Sequence, residues 1–187
     1  RHKTGVSVVI PGAGDPFFHK PVAAAFVLNG FGKTCGLVQV GELGCIETPI
    51  ALTNTLCVGR VADGLVTNAL REARSAGLPL PTTINPVVGE TNDGRVSDIR
   101  TRAVGESDVL AAIDSASADF ARGSVGAGRG TVCFGLKGGI GSSSRLAGIG
   151  EKSYALGVLV QSNFGRMPDL VLGGKPVGSR IAEELAA

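Results

Sequence analysis

The chain has 187 residues with 29 glycines, no tryptophan and a formal net charge of +2. A hydrophobic content of 43% at so low a net charge excludes an intrinsically disordered protein, and the absence of a three-residue glycine period excludes collagen. The length is that of one ordinary domain. We therefore predict one globular domain over residues 1–187, in which glycine serves turns and close backbone contacts.

Charge and apolar runs exclude two further classes. Acidic and basic side chains alternate, as in Asp93, Arg95, Asp98 and Arg100, so no basic stripe for nucleic acid is present. Every apolar run ends well before 18 residues, so we expect no membrane span. The four cysteines lack the spacing of a zinc site and lie in apolar surroundings, which predicts buried free thiols and a reducing compartment.

The N-terminal half is predicted to contain strands followed by a long helix. Residues 6–10 are a β-branched run, residues 23–28 lead into an Asn-Gly turn, and residues 36–40 are the expected returning strand. Apolar residues that recur at intervals of three and four residues predict a helix over residues 58–70. Gly77 and Pro79 are typical of the end of such a helix.

The C-terminal half continues the alternation. A helix is predicted over residues 108–121, with Ser107 as its cap and Gly123 closing it. Strands are predicted at residues 131–136 and 153–161, and a short helix at residues 179–187. Alternating strands and helices indicate an α/β or α+β fold with a sheet packed against helices.

Familiar catalytic motifs are nearly present but incomplete. Gly32-Lys33-Thr34 matches the end of a phosphate-binding loop, but Val27 replaces the required first glycine, which favours an ordinary turn. The glycines of residues 123–130 follow a helix and precede a strand, the reverse of a dinucleotide site. With only two histidines and no Gly-x-Ser-x-Gly motif, an enzyme of this sequence would need another way to activate its nucleophile, such as a terminal amine.

Three polar groups follow apolar segments. Glu90 lies between an apolar stretch and a turn, where it is either a turn carboxylate or a functional acid. Asn163 ends an apolar strand, where its amide either caps the strand or donates to a developing oxyanion. Residues 137–145 form a donor-rich loop that is either a plain hairpin or a contact with substrate or another subunit.

Together these segments resemble the P1 family of peptidases, the group of the L-aminopeptidase/D-esterase and the bacterial β-aminopeptidases. The resemblance covers nearly the whole chain in order and is carried by six motifs: Pro-Phe-Phe at 16–18, Val-Leu-Asn-Gly-Phe-Gly-Lys at 27–33, Glu-Thr-Pro-Ile-Ala-Leu-Thr-Asn-Thr at 47–55, Asn-Pro-Val-Val-Gly-Glu at 85–90, Cys-Phe-Gly-Leu-Lys-Gly-Gly-Ile-Gly at 133–141 and Gln-Ser-Asn-Phe-Gly at 161–165.

The resemblance implies a four-layer α/β/β/α sandwich, shared with ornithine acetyltransferases and completed by a separate β chain. Members are made as a precursor that cuts itself before a serine, and this chain looks like the α chain, lacking its first segment and ending shortly before the cut. The nucleophile would then be the N-terminal serine of the β chain. The resemblance also implies a homo-oligomer of αβ units and no metal or organic cofactor. We expect the cytoplasm as the compartment, with the periplasm left open.

The resemblance also assigns roles to individual residues. Glu90 corresponds to the carboxylate that pairs with the free amino group of a small peptide or amino-acid amide, and Asn163 corresponds to the oxyanion donor. Asn92 stands where some members have a tyrosine near the active site and is assigned to substrate binding. Gly138 and Gly139 belong to a loop around the same site and are also assigned to substrate binding.

The predicted function is therefore that of a self-processed serine aminopeptidase, amidase or esterase. Two alternatives stay open at this point. An acyltransferase of the ornithine acetyltransferase type shares the fold but uses a threonine and transfers the acyl group to an amine. A non-catalytic assembly would keep the fold without processing.

Overall fold

A three-stranded sheet organises the best-packed part of the protein, whose computed structural model describes residues 2–12 and 14–187. The order in this sheet is β1-β2-β3, with β1 antiparallel and β3 parallel to β2. The helices and strands in chain order are β1 (Ser7–Val9), α1 (Leu37–Leu43), β2 (Ile50–Asn54), α2 (Val58–Ser75), β3 (Val87–Thr91), α3 (Glu106–Asp114), β4 (Val132–Cys133), β5 (Leu136–Lys137), β6 (Gly139–Ile149), β7 (Lys152–Ser162), β8 (Val171–Leu172), β9 (Lys175–Pro176) and α4 (Gly178–Ala186).

Helices cover both faces of this sheet. Successive residues of a strand point to opposite faces, so Ala51 and Val88 pack in the cluster that includes α2 and α3. Their neighbours Ile50 and Val87 pack with Val40 of α1 in a second, smaller cluster. The mixed α/β class predicted from the alternation of elements is confirmed.

The helix predicted over residues 58–70 is confirmed as α2. Val61 and Leu65 of the periodic pattern are fully buried and Ala69 is buried, whereas Val66 and Leu70 are half-buried. The Asn54 side chain accepts hydrogen bonds from the backbone N–H groups of Leu56 and Cys57 in the short 3-10 turn that leads into the helix. The chain leaves the helix through Gly77, whose φ of +65° is left-handed.

Two short hairpins and a long one make up most of the C-terminal half. The 11-residue strands β6 and β7 form a two-stranded sheet, which is extended only by an isolated bridge from Ile140 to Gly123 within the described residues. Their apolar side chains are mostly uncovered: Leu146 is 81% exposed and Leu156 is 61% exposed. A two-stranded sheet is marginally stable by itself, so these faces favour a further layer of protein.

Two predicted strands of the N-terminal half are wrong. Residues 23–28 form no strand, and only Val22 makes an isolated bridge, to Cys45. Residues 36–40 begin helix α1 instead. Gly36 adopts a left-handed φ of +86° before the helix, and Leu37 and Val40 then share one helical face against the sheet.

Other predicted boundaries of helices and strands are also wrong. Helix α3 starts two residues earlier than predicted and ends at Asp114, and the Asp108 carboxylate rather than Ser107 takes the Gly105 N–H at 2.9 Å. The strand predicted at residues 131–136 is broken by a turn at Phe134 and Gly135, both at positive φ. The glycine-serine segment after Lys137 is strand β6, because pairing with β7 outweighs its weak strand propensity.

Cysteine burial is confirmed only in part. All four cysteines are free thiols, but Cys57 alone is buried and Cys35, Cys45 and Cys133 are half-buried. The helices within residues 2–12 and 14–187 are all too short or too polar to cross a membrane.

A buried carboxylate explains two of the sequence motifs. The Glu47 side chain is 5% exposed and pairs with Lys20, and its Oε2 accepts from Asn85 N at 3.0 Å and Asn85 Nδ2 at 2.9 Å. Burial opposes ionisation, but the hydrogen bonds from Lys20 and Asn85 prevail and hold the pKa of Glu47 below its ordinary value. Glu47 therefore ties the segment before β2 to the segment before β3.

Because the folded pKa of Glu47 is lowered, its contribution to stability is present above the unfolded pKa and is lost as the pH falls through the folded one. We expect Glu47→Gln to lower the free energy of unfolding of the complete protein by about 1–3 kcal/mol at pH 7, with a smaller difference below about pH 4. Urea titrations across pH measure this, with the exposed Glu42→Gln as control. Equal stability of Glu47→Gln and wild type at pH 7 would contradict it.

Gly36 tests the role of glycine in close backbone approach. A Cβ at this position would lie 2.3 Å from the Pro86 carbonyl oxygen, and φ is left-handed, so Gly36→Ala should cost about 2 kcal/mol or more in stability. Gly41→Ala is the matched control, because no heavy atom lies within 4 Å of its Cβ and helix α1 favours alanine by about 0.5–1 kcal/mol. Thermal unfolding of both variants measures the difference, and equal melting temperatures for the two variants would contradict the role given to Gly36.

Candidate functional site

Glu90 lies near the end of β3, between two neighbouring segments. On one side β2 runs parallel, with Thr53 opposite Glu90. On the other side Cys35 and Val88 exchange backbone hydrogen bonds of 3.0 and 3.2 Å in an antiparallel bridge, which puts Lys33 opposite Glu90. The Glu90 side chain is therefore held between the two segments.

The Glu90 carboxylate accepts two hydrogen bonds from neutral donors. Oε1 accepts from the backbone N–H of Lys33 at 2.9 Å, and Oε2 accepts from the Thr55 hydroxyl. The Lys33 ammonium turns away, over the Phe31 ring at 3.9 Å from its centroid and onto the Phe31 carbonyl oxygen. Within residues 2–12 and 14–187 no cation pairs with Glu90, so the oriented carboxylate can accept a substrate ammonium.

Asn163 follows β7, and its side-chain orientation is set by one backbone group. Asn163 Oδ1 accepts a hydrogen bond from the Val132 N–H at 3.1 Å. Because Val132 N is a donor, the atom facing it is the oxygen of the amide. The Nδ2 group donates no hydrogen bond within the described residues and is half-buried with its residue. Asn163 therefore has a fixed acceptor side and an available donor side.

The turn between β4 and β5 supports this strand end. Phe134 donates its N–H to the Phe164 carbonyl oxygen at 2.8 Å, and the two rings pack edge to face with centroids 5.0 Å apart. Phe134 and Gly135 have φ values of +51° and +79°, as the central residues of a type I′ turn require. A Cβ on Gly165 would lie 2.4 Å from the Phe134 ring, so glycine is needed at that position.

The structure brings the Glu90 and Asn163 regions together. Gln161 Nε2, on the strand end before Asn163, donates to the hydroxyl of Thr91, the residue after Glu90. The same amide donates to the Ala127 carbonyl oxygen at 3.3 Å. No direct bond joins Glu90 and Asn163 among the described residues, and the contact between their segments is the bond from Gln161 to Thr91.

Gly138 and Gly139 lie beside the end of β7, with their amides already engaged. Gly138 N–H donates to the Thr131 carbonyl oxygen at 2.9 Å, and Gly139 N–H donates to the Ser162 hydroxyl at 3.2 Å. A Cβ on Gly138 would lie 2.6 Å from the Ser162 carbonyl oxygen. These glycines allow close approach of three backbone segments, and their assignment to substrate binding stays a prediction.

Asn92 lies in the loop after β3. It is exposed, and its Oδ1 accepts the Gly94 N–H at 2.9 Å, so it forms a turn and leaves its amide nitrogen outward. The next residue, Asp93, is 1% exposed. Burial raises the pKa of the Asp93 carboxyl, and the neighbouring Thr4 hydroxyl opposes this without completing a hydrogen bond of normal geometry. The substrate role of Asn92 stays a prediction.

Sequence reasoning missed three residues that orient the site. The Thr55 hydroxyl donates to the Glu90 carboxylate, and the Ser162 hydroxyl accepts from the Gly139 N–H. The Lys137 ammonium donates to three backbone carbonyl oxygens. Desolvation, with a smaller contribution from the Lys3 charge, lowers the pKa of Lys137. The only signal available was their place inside the quoted motifs. The bonds of Thr55 and Ser162 join segments that are distant along the chain, and those of Lys137 depend on how the chain turns between residues 128 and 138.

The site has no features of a metal or phosphate centre. Within residues 2–12 and 14–187, His, Cys, Asp and Glu side chains form no group of three that could hold a metal ion. In the near-match to a phosphate loop, the Lys33 N–H donates to a carboxylate, an unsuitable neighbour for an anion. The interpretation of this segment as an ordinary turn is supported by that bond.

Known proteins are similar to this chain in sequence and in fold. Residues 1–187 match the model of peptidase family S58. The beta-peptidyl aminopeptidase BapA of Sphingosinicella microcystinivorans is 40% identical over 182 residues, which are 96% of this chain and 44% of that protein. The chain therefore spans about half the length of the curated relatives it matches.

Solved structures of known proteins are also similar to this chain. A Pyrococcus horikoshii OT3 protein superposes with a TM-score of 0.90 at 47% identity, covering 96% of this chain and 50% of that one. The L-aminopeptidase D-Ala-esterase/amidase of Ochrobactrum anthropi, described as a prototype serine aminopeptidase with a variant of the Ntn-hydrolase fold, superposes at 0.82 with 30% identity, covering 95% and 55%. The resemblance inferred from the six motifs is confirmed: the chain belongs to peptidase family S58.

Proposed function

We propose that this chain is the α-chain part of a self-processed serine aminopeptidase that also acts on amides or esters. The hydroxyl of the N-terminal serine of a β chain from the same precursor attacks the carbonyl of the first residue. The bond to the rest of the substrate breaks and the amine or alcohol leaves with a proton, and water then hydrolyses the acyl-enzyme and frees the serine. The aminopeptidase names of the relatives support the class. The observation that carries the proposal is the Glu90 carboxylate, which is oriented by neutral donors and paired with no cation in the described part of the chain.

Glu90 selects the free amino terminus in this proposal. A carboxylate that already accepts from Lys33 N and Thr55 Oγ1 is fixed in position and keeps lone pairs for an ammonium group. A charge-assisted hydrogen bond to that ammonium is about twice as strong as a neutral one. A blocked substrate would leave the carboxylate desolvated and unpaired, so it is rejected.

Asn163 is the oxyanion donor in this proposal. The Val132 N–H holds Oδ1, which leaves Nδ2 without a bond among the described residues and able to donate to a scissile carbonyl that develops negative charge. A donor fixed before the reaction needs no reorganisation when the charge forms, and loss of one such donor typically lowers kcat by about 100- to 1000-fold.

The remaining half of the protein completes the fold. We assign residues 1–187 to one domain portion of a four-layer α/β/β/α sandwich that the β chain completes, with αβ units assembling as a homo-oligomer. The exposed apolar faces of β6 and β7 support a covering layer, and the relatives are about twice as long as this chain. Asn92, Gly138 and Gly139 border the substrate in this arrangement.

Intact-mass measurement of the complete purified protein tests the processing step. We expect two chains whose masses sum to the precursor, with serine as the N-terminal residue of the second. A threonine at that terminus would indicate the acyltransferase alternative. A single uncut chain would contradict self-processing.

The role of Glu90 is tested by two substrates that differ only in a free or acetylated amino terminus. Because Glu90→Gln removes the charge and keeps the shape, we expect the ratio of kcat/KM for free over blocked substrate to fall by about 30-fold or more. The exposed Glu183→Gln on α4 is the matched control and should keep the wild-type ratio. An unchanged ratio in Glu90→Gln would show that Glu90 does not bind the ammonium.

A further inference from the structure

One peptide group of the chain connects a lysine ammonium to the Asn163 amide. The carbonyl oxygen of Thr131 accepts from Lys137 Nζ at 3.1 Å, and the N–H of the same peptide unit, at Val132, donates to Asn163 Oδ1 at 3.1 Å. The two bonds lie on opposite ends of one resonant, planar unit. A positive charge on the oxygen end therefore acts on the donor end.

The ammonium is fully used by backbone oxygens. Besides Thr131, it donates to the carbonyl oxygens of Gly128 at 2.8 Å and Gly138 at 2.7 Å, which accounts for all three of its N–H groups. The stem of Lys137 is exposed, but Thr131 is 0% exposed. Little water therefore competes at the shared peptide group, where a charge is felt more strongly than in solvent.

The geometry of this peptide does not need the lysine. Strands β4 and β5 pair Val132 with Lys137 in register, and the Gly138 N–H already donates to the Thr131 oxygen at 2.9 Å. The backbone thus holds the Val132 N–H in place by itself. What Lys137 adds is positive charge at the carbonyl oxygen.

We propose that Lys137 is a positioning residue that strengthens the oxyanion donor through Asn163. Its charge polarises the peptide between Thr131 and Val132, which makes the Val132 N–H a stronger donor to Asn163 Oδ1. That bond draws electrons toward Oδ1 and makes Nδ2–H a stronger donor to the negative oxygen of the tetrahedral intermediate. This inference rests on the proposed oxyanion role of Asn163.

A double-mutant cycle in the complete protein tests the proposal, with kcat and KM measured on an amino-acid amide. We expect Lys137→Met to lower kcat by about 10-fold with KM within about twofold, because only the charged intermediate feels the weakened donor. In an Asn163→Ala background the same change should alter kcat by less than about twofold. Lys137→Arg, which keeps the charge, should recover most of the activity, and the exposed Lys175→Met should match wild type.

Additive losses from Lys137→Met and Asn163→Ala would overturn the inference, as would a loss expressed only in KM. If Lys137→Met does not fold, Lys137→Gln enters the same cycle, because its amide still donates to carbonyl oxygens without charge. If Asn163→Ala alone leaves kcat unchanged, the proposed oxyanion role fails and this inference fails with it. If Asn163→Ala lowers kcat strongly and the losses of kcat from the two substitutions are additive, the proposed function stands and the role of Lys137 is rejected.

Discussion

The parallel pairing of β2 with β3 is the constraint on which the rest of the structure depends. Parallel neighbours need a long crossover connection, and α2 supplies it while burying one face of the sheet. The carboxyl ends of the two strands then meet at the same edge. Thr55 leaves β2 there and Glu90 lies near the end of β3, so the hydroxyl and the carboxylate come within hydrogen-bonding distance.

Both key side chains are oriented by backbone donors. Glu90 takes the Lys33 N–H, and Asn163 takes the Val132 N–H, each from a segment distant in sequence. The described residues leave further lone pairs on the Glu90 carboxylate and the Nδ2 group of Asn163 unused. Glycine at positions such as Gly138 lets these segments approach, because a Cβ would collide with neighbouring backbone.

Local patterns predicted where the candidate residues lie, and the family resemblance alone assigned their roles. Glu90 and Asn163 each follow an apolar segment and precede a turn, which marks them as polar groups at strand ends, and helix α2 carries an unambiguous helical period. Residues 23–28 and 36–40 were mispredicted because a short apolar run does not by itself distinguish strand from helix or coil. Strand β6 was missed because its glycines and serines have weak strand propensity, and pairing with β7 decided its conformation.

The sequence by itself determined the α/β class and the family, because these depend on local periodicity and on ordered motifs, and the family resemblance singled out Glu90 and Asn163 as candidate site residues. Only the tertiary structure decided which groups surround them. The neutral donor to Glu90 and the acceptor-side anchoring of Asn163 are contacts between residues far apart in the chain. Such contacts arise from strand register and close backbone packing, which no local pattern encodes.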